Sequence, residues 1–217
     1  MPKEIEVGLY LYDDLFKNHS IPNKEDIIHK IKKLGAKKKG VYLFKVVVFQ
    51  SPKNGKEYLR IRDEGHRITM TLKNRTKKSK YENEEEIIID NFENGIKILE
   101  GIGCKKKHAY EKIRELWTYK NSEIVFDYYI GLPTYMEVES STEKELNDIL
   151  KKLNLKIPDT FIPEKILFKK LFSCTKNNNE RFNSTKYLLN KCLKNKKDLK
   201  RILDTQLKLY NKIKNKE

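Results

Sequence analysis

The chain announces itself through a period of two. In Ile68-Thr69-Met70-Thr71-Leu72-Lys73, apolar and polar residues alternate, so Ile68, Met70 and Leu72 share one face of a strand and Thr69, Thr71 and Lys73 the other. Alternation of this kind, bounded by turn signals such as Pro52-Lys53-Asn54-Gly55 and Asp63-Glu64-Gly65, predicts eight strands. They cover 3–12, 41–50, 57–63, 66–73, 80–90, 108–117, 122–129 and 134–140. Between them the period lengthens. Residues 24–39 place Ile27, Ile28, Ile31 and Leu34 on one side of a helix that Gly35 closes. Residues 94–107 repeat the design with Ile96, Leu99, Ile102 and Gly103, at an offset of 68 residues (102 minus 34). A third helix is predicted over 142–153. Each of the first two helices has one strand before it and three after, the mark of an internal duplication.

The polar faces of these strands are charged to an unusual degree. Carboxylates recur at every second residue in Glu4/Glu6, Glu82/Glu84/Glu86 and Glu137/Glu139, and bases do so in Arg60/Arg62 and Lys112/Arg114. The helices are available to cover the apolar faces from outside, which turns the charged faces inward. The expected fold is therefore α+β: a closed antiparallel eight-stranded β-barrel with a charged lumen, flanked by outer helices. Pro158 and Pro163 mark a junction, dividing a barrel domain at 1–155 from a basic helical extension at 156–217. In that extension Leu199, Ile202, Leu203, Leu207, Tyr210 and Ile213 form a helical stripe expected to pack on the barrel.

Charge changes this picture only at the tail. The net charge of +16 divides into +5 over residues 1–140 (27 minus 22) and +11 over 141–217 (20 minus 9). Such a tail attracts polyanions, RNA included, although the abundance of Lys, Asn and Ile is equally what an A/T-rich genome produces. No apolar run approaches the roughly 18 residues of a membrane span, and no apolar stretch of a signal peptide follows Met1, so a cytoplasmic protein without a membrane partner is expected. Cys104, Cys174 and Cys192 are odd in number and widely spaced, which argues against a disulfide framework or a zinc site. The four histidines, His19, His29, His66 and His108, show no ligand spacing. Glu85, Asp63, Glu64 and the Lys37–Lys39 and Lys105–Lys107 runs read as solvated surface, and Trp117 as core or rim.

Taken in order, the motifs resemble the CYTH superfamily, which includes class IV adenylate cyclases and thiamine triphosphatases and is also called the triphosphate tunnel metalloenzymes. The resemblance spans about 1–155. Its N-terminal E-x-E-x-K signature stands as Glu4-Ile5-Glu6-Val7-Gly8, with glycine in place of the lysine. Leu59-Arg60-Ile61-Arg62, the strand ending at Lys73, the acidic Glu82/Glu84/Glu86 strand and Lys112-Ile113-Arg114 follow. Asp127, the Gly131-Leu132 turn, with Pro133 where a second glycine usually stands, and Glu137-Val138-Glu139 close the series.

The residues themselves suit a polyanion and its metal ions. A triphosphate asks for guanidinium forks and ammonium charges, which Arg60, Arg62, Lys73, Lys112 and Arg114 supply. The phosphorus chemistry asks for a hard cation, Mg²⁺ or Mn²⁺, held on carboxylate oxygens. Glu4, Glu6, Glu137 and Glu139 lead that set, with Glu84, Glu86 and Asp127 behind them. The resemblance implies catalytic roles for Glu4, Glu6, Lys73 and Asp127. The expected activity is metal-dependent hydrolysis of an inorganic or organic triphosphate such as tripolyphosphate, thiamine triphosphate or ATP, by a monomer or homodimer. Two alternatives stay open: an adenylate cyclase making cyclic AMP, and a binding protein for polyphosphate or an RNA 5′-triphosphate weakened by Gly8. Ion pairs serving structure alone would explain the same charges without any ligand.

Overall fold

The computed structural model describes residues 5–11, 22–53, 57–74, 83–129, 132–155 and 197–214. All eight strands are present: β1 (Ile5–Tyr10), β2 (Lys37–Gln50), β3 (Glu57–Asp63), β4 (Ile68–Asn74), β5 (Asn83–Ile89), β6 (Lys105–Tyr119), β7 (Ser122–Tyr128) and β8 (Tyr135–Ser140). Helices α1 (Lys24–Lys33) and α2 (Phe92–Gly101) precede β2 and β6, α3 (Glu143–Leu153) follows β8, and α4 (Lys197–Lys214) ends the described chain. The strands form one antiparallel sheet in the order β1-β8-β7-β6-β2-β3-β4-β5.

The duplication is visible atom by atom. Asn23 and Asn91 cap α1 and α2, each side chain accepting from the backbone N–H three residues on. Both helices close through a glycine at positive φ, Gly35 at 86° and Gly103 at 88°, after which Ala36 and Cys104 donate back to Ile31 and Leu99. The central β2/β6 ladder is its own image at the same offset: Tyr42 faces Arg114 as Val46 faces Tyr110, and the two bulges leave out Lys39 and Lys107. Each half donates its first strand to the other, since β1 pairs with β8 and β5 with β4.

Two differences from expectation concern the lysine runs and the closure. Lys37–Lys39 and Lys105–Lys107 do not extend the helices; they open β2 and β6, because each chain leaves the left-handed glycine already extended. The barrel does not close among the described residues. The sheet curls, with β1 and β5 as its two edges and no ladder between them. A ladder across this seam would press the carboxylates of β1 and β8 against those of β5, a like-charge contact that a sheet resists.

The outer face carries the core. Ile27 and Ile31 of α1 and Leu146, Ile149, Leu150 and Leu153 of α3 cover Leu9, Trp117, Ile124, Phe126, Met136 and Val138. Ile96 and Leu99 of α2 cover Val47, Phe49 and Ile61 of the other half. Within the first layer Glu115 is buried but satisfied, accepting from Trp117 Nε1 at 2.8 Å and Tyr128 Oη at 3.1 Å and pairing with Lys38 at 2.9 Å. α4 packs on the sheet as well. Gln206 donates to the carbonyls of Tyr129 and Leu132, both at 3.3 Å, and Tyr210 donates to Glu111 at 2.6 Å. Leu207, Tyr210 and Ile213 of the apolar stripe are half-buried, while the side chains of Leu199, Ile202 and Leu203, and the other helices expected between 159 and 196, lie outside the described residues. No described helix is long and apolar enough to cross a membrane.

Candidate functional site

With the apolar faces turned outward onto helices, alternation sends every second side chain into the trough. The trough holds a cavity of about 800 Å³, a volume suited to a small organic molecule. Glu6, Arg60, Arg62, Lys73, Glu84, Glu86, Lys112, Arg114, Glu137 and Glu139, drawn from six strands, all line it. Glu4, Glu82 and Gly131 lie outside the described residues.

Two ion-pair networks occupy its walls. In the first, Asp127 is fully buried and both its oxygens are engaged: Lys112 Nζ reaches Oδ2 at 2.5 Å, and Arg114 donates to Oδ1 and Oδ2 at 2.7 and 2.5 Å. Arg114 also donates to Glu137 at 2.7 Å. Burial would raise the Asp127 carboxyl, but Arg114 and Lys112 hold it down at about 2. Burial and the neighbouring Arg114 pull Lys112 down to about 8, against the opposing carboxylates. In the second network Arg60 pairs with Glu84 at 3.2 Å and Glu86 at 3.6 Å, Lys73 with Glu84 at 2.9 Å, and Arg62 with Glu86 at 3.4 Å. Thr71, on the same face, donates to Glu86 at 2.8 Å.

Arg62 meets a second carboxylate and still has an unmet nitrogen. Its Nη2 lies 2.6 Å from Glu64 Oε1, yet among the described residues its buried Nε has no hydrogen-bond partner, and neither has that oxygen. Burial and the neighbouring Arg60 guanidinium push its pKa below the ordinary arginine value. Glu64, expected at the surface, is 3% exposed because it faces the trough between Arg62 and Arg67.

The carboxylates gather elsewhere in the cavity. Ladder register sets Glu6 opposite Glu139, and Glu139 opposite Glu123, three acids in one row across β1, β8 and β7. Burial, Glu123 and then Glu84 push the Glu139 carboxyl up, with Lys73 opposing. Glu84 of β5 and Glu139 of β8 line the same cavity from the two sides of the seam. Among the described residues no three acids converge into a ready-made cation cage. Their all-oxygen donor set nevertheless suits a hard divalent ion.

Glu123, Phe44 and Tyr135 carry no motif. Glu123 belongs to the cavity lining by the same alternation as Asp127, two residues per step, and that period is the signal for it. Phe44 lies inward on β2 beneath three cations, Arg114 at 5.3 Å, Arg62 at 5.5 Å and Lys112 at 5.8 Å from its ring. Nothing local distinguishes it from the outward Leu43. Tyr42, Tyr58, Tyr110 and Tyr129 add further rings to the lining, and His66 stands at its exposed rim. Tyr135 leans over Gly8, where a β-carbon would lie 1.9 Å from its hydroxyl oxygen. Burial, Glu137 and Glu6 raise the pKa of that hydroxyl and keep it protonated. Trp117 and Cys104 are core residues.

The CYTH domain family model matches residues 19–165. The chain belongs to the CYTH domain family. A Methanocaldococcus jannaschii protein provisionally named an adenylate cyclase is 29% identical over 150 residues, 62% of this chain and 86% of its own. The PH1012 protein of Pyrococcus horikoshii has a similar structure, with a TM-score of 0.59 and 24% identity over 77% of this chain and 98% of its own. A provisional adenylate cyclase of Vibrio parahaemolyticus gives a TM-score of 0.59 at 15% identity, covering 80% and 99%. A provisional adenylyl cyclase of Hippeastrum, described as having a dominant triphosphatase activity, gives 0.51 at 17%, covering 82% and 100%. At these identities the structural likeness speaks for the fold.

Proposed function

We propose that this CYTH domain binds an organic triphosphate in its trough and hydrolyses it with the help of Mg²⁺ or Mn²⁺. One observation carries the reading: Arg62, which lines the cavity with Arg60, Lys112 and Arg114, has a buried Nε–H with no partner among the described residues. A buried donor without an acceptor costs free energy until a ligand supplies one, and an anion with several oxygens would satisfy it.

Arg60, Arg62 and Arg114 would grip phosphate oxygens as forks, with Lys112 and Lys73 as point charges. Phe44 would hold three of those cations in place. Asp127, locked between Lys112 and Arg114, would orient them and would not take up a proton. Glu6, Glu137 and Glu139 would hold the metal, with Glu4 and the second-tier Glu84 and Glu86, and Glu123 extends their row. When bound there, the ion would neutralise charge developing on the phosphate oxygens. Water would attack the terminal phosphorus as the bond to the bridging oxygen breaks, giving orthophosphate and a diphosphate. The rings of Tyr58, Tyr110 and Tyr129 favour a substrate with an organic part over bare tripolyphosphate.

The triphosphatase ascribed to the Hippeastrum protein supports hydrolysis, and the names of the archaeal and Vibrio proteins keep cyclisation as the second reading. Incubation with ATP, thiamine triphosphate and tripolyphosphate, each with Mg²⁺ or Mn²⁺, separates the two. Orthophosphate is the expected product; cyclic AMP would replace hydrolysis by cyclisation, and no turnover despite binding would refute both.

A further inference from the structure

Gly8 needs an explanation. Glycine weakens a strand interior, and Gly8 is not among the glycines with positive φ, so backbone conformation does not demand it. Space does. A β-carbon at this position would meet the Tyr135 ring, 1.9 Å from Oη and 2.4 Å from Cζ. In the β1/β8 ladder Tyr135 stands opposite Tyr10 and Glu137 opposite Gly8. Tyr135 therefore leans along the sheet from its own partner towards the next, with its ring braced on Tyr10 at 5.0 Å between centroids. Its hydroxyl ends over Gly8, in a space bounded by Glu6 along β1 and by Glu137 across the ladder.

We propose that Tyr135 is a positioning residue: Gly8 admits its hydroxyl to the trough face of β1, where the O–H orients the Glu6 and Glu137 carboxylates for the divalent cation. This rests on the metal reading above. A hydroxyl is the group for that task because it donates without adding charge, so the carboxylates keep their attraction for a metal.

The test is Mn²⁺ alone, titrated calorimetrically into the full-length protein, followed by steady-state kinetics on ATP. Tyr135→Phe keeps the ring, its contact with Tyr10 and the fit over Gly8, so melting without metal should be unchanged. Groups that orient metal ligands typically contribute about 10- to 100-fold in affinity or activity. Mn²⁺ affinity should fall by about that factor, with kcat reduced and KM for ATP within about twofold. Gly8→Ala, which leaves the hydroxyl present but displaced, should reproduce the loss. If Tyr135→Phe binds Mn²⁺ as tightly as the parent, the positioning role is wrong while the metal reading stands. If the parent itself binds no Mn²⁺, the metal reading falls and takes this inference with it.

Discussion

At Arg62 a buried guanidinium has an Nε with no hydrogen-bond partner among the described residues, and on the proposed reading anion binding starts there. Arg62→Ala should weaken tripolyphosphate binding by about 10- to 100-fold, the value of a charged hydrogen bond of about 1.5–3 kcal/mol; calorimetry checks it. Lys112 gives a pH signature with two opposite signs. Its pKa in the folded protein is about 8 against an ordinary 10.5, so between these values the unfolded chain binds more protons and its contribution to stability rises with pH. Anion affinity should move the other way, falling as pH passes above about 8 and the ammonium is lost. In Lys112→Met that step should disappear from a binding titration run from pH 6 to 10. Asp127 holds two buried cations, so Asp127→Asn should destabilise the fold by about 3–5 kcal/mol in urea melts. With a folded pKa of about 2 against 3.8, its own contribution is complete above pH 3.8 and lost as pH falls through 2.

At the scale of elements, the two helix ends offer a controlled comparison. Gly35 and Gly103 share the same left-handed conformation, and a β-carbon at either would meet nothing within 4 Å. Alanine at each should therefore cost roughly 1–2 kcal/mol from backbone strain alone, with nearly equal shifts in chemical denaturation. Much of this level was legible in the sequence because it depends on near neighbours: Ile68 to Lys73 alternates, and Ile27 and Ile31 repeat at helical spacing. The lysine runs were misplaced for the same reason. Nothing local in Lys37–Lys39 says that a partner strand waits at Thr118 and Trp117. Charged residues of the site were legible wherever they came in pairs on one face. Phe44 was not, since its value lies in what a distant strand brings to it, Arg114 and Lys112; Glu64 was not because its near neighbours Arg62 and Arg67 read as ordinary surface partners until the fold buries its carboxylate.

The molecule as a whole is held by exchange between its halves. Because β1 belongs to the second half's sheet and β5 to the first's, neither 1–78 nor 79–155 contains a complete half-sheet. Each fragment alone should lack dispersed amide resonances in a proton–nitrogen NMR spectrum, and mixing the two should restore them. The expected closure of the barrel is not seen among the described residues, and repulsion across the seam opposes it. Sequence shows which residues are acidic, but the repulsion across the seam exists only once Glu139 and Glu84 have been carried towards each other.

The β2/β6 ladder has one further meaning. Its two-fold axis runs past Phe44 and Lys112, which face each other and are equivalent at the 68-residue offset. Had an ancestor been a dimer of identical half-length chains, that residue would have met its own copy. Two ammonium groups there would repel, and two rings would leave the centre of the trough without charge. Only after fusion into one gene could the two positions diverge, one becoming the cation and the other the ring beneath it. On this view the present site is something that a symmetric ancestor was unable to encode.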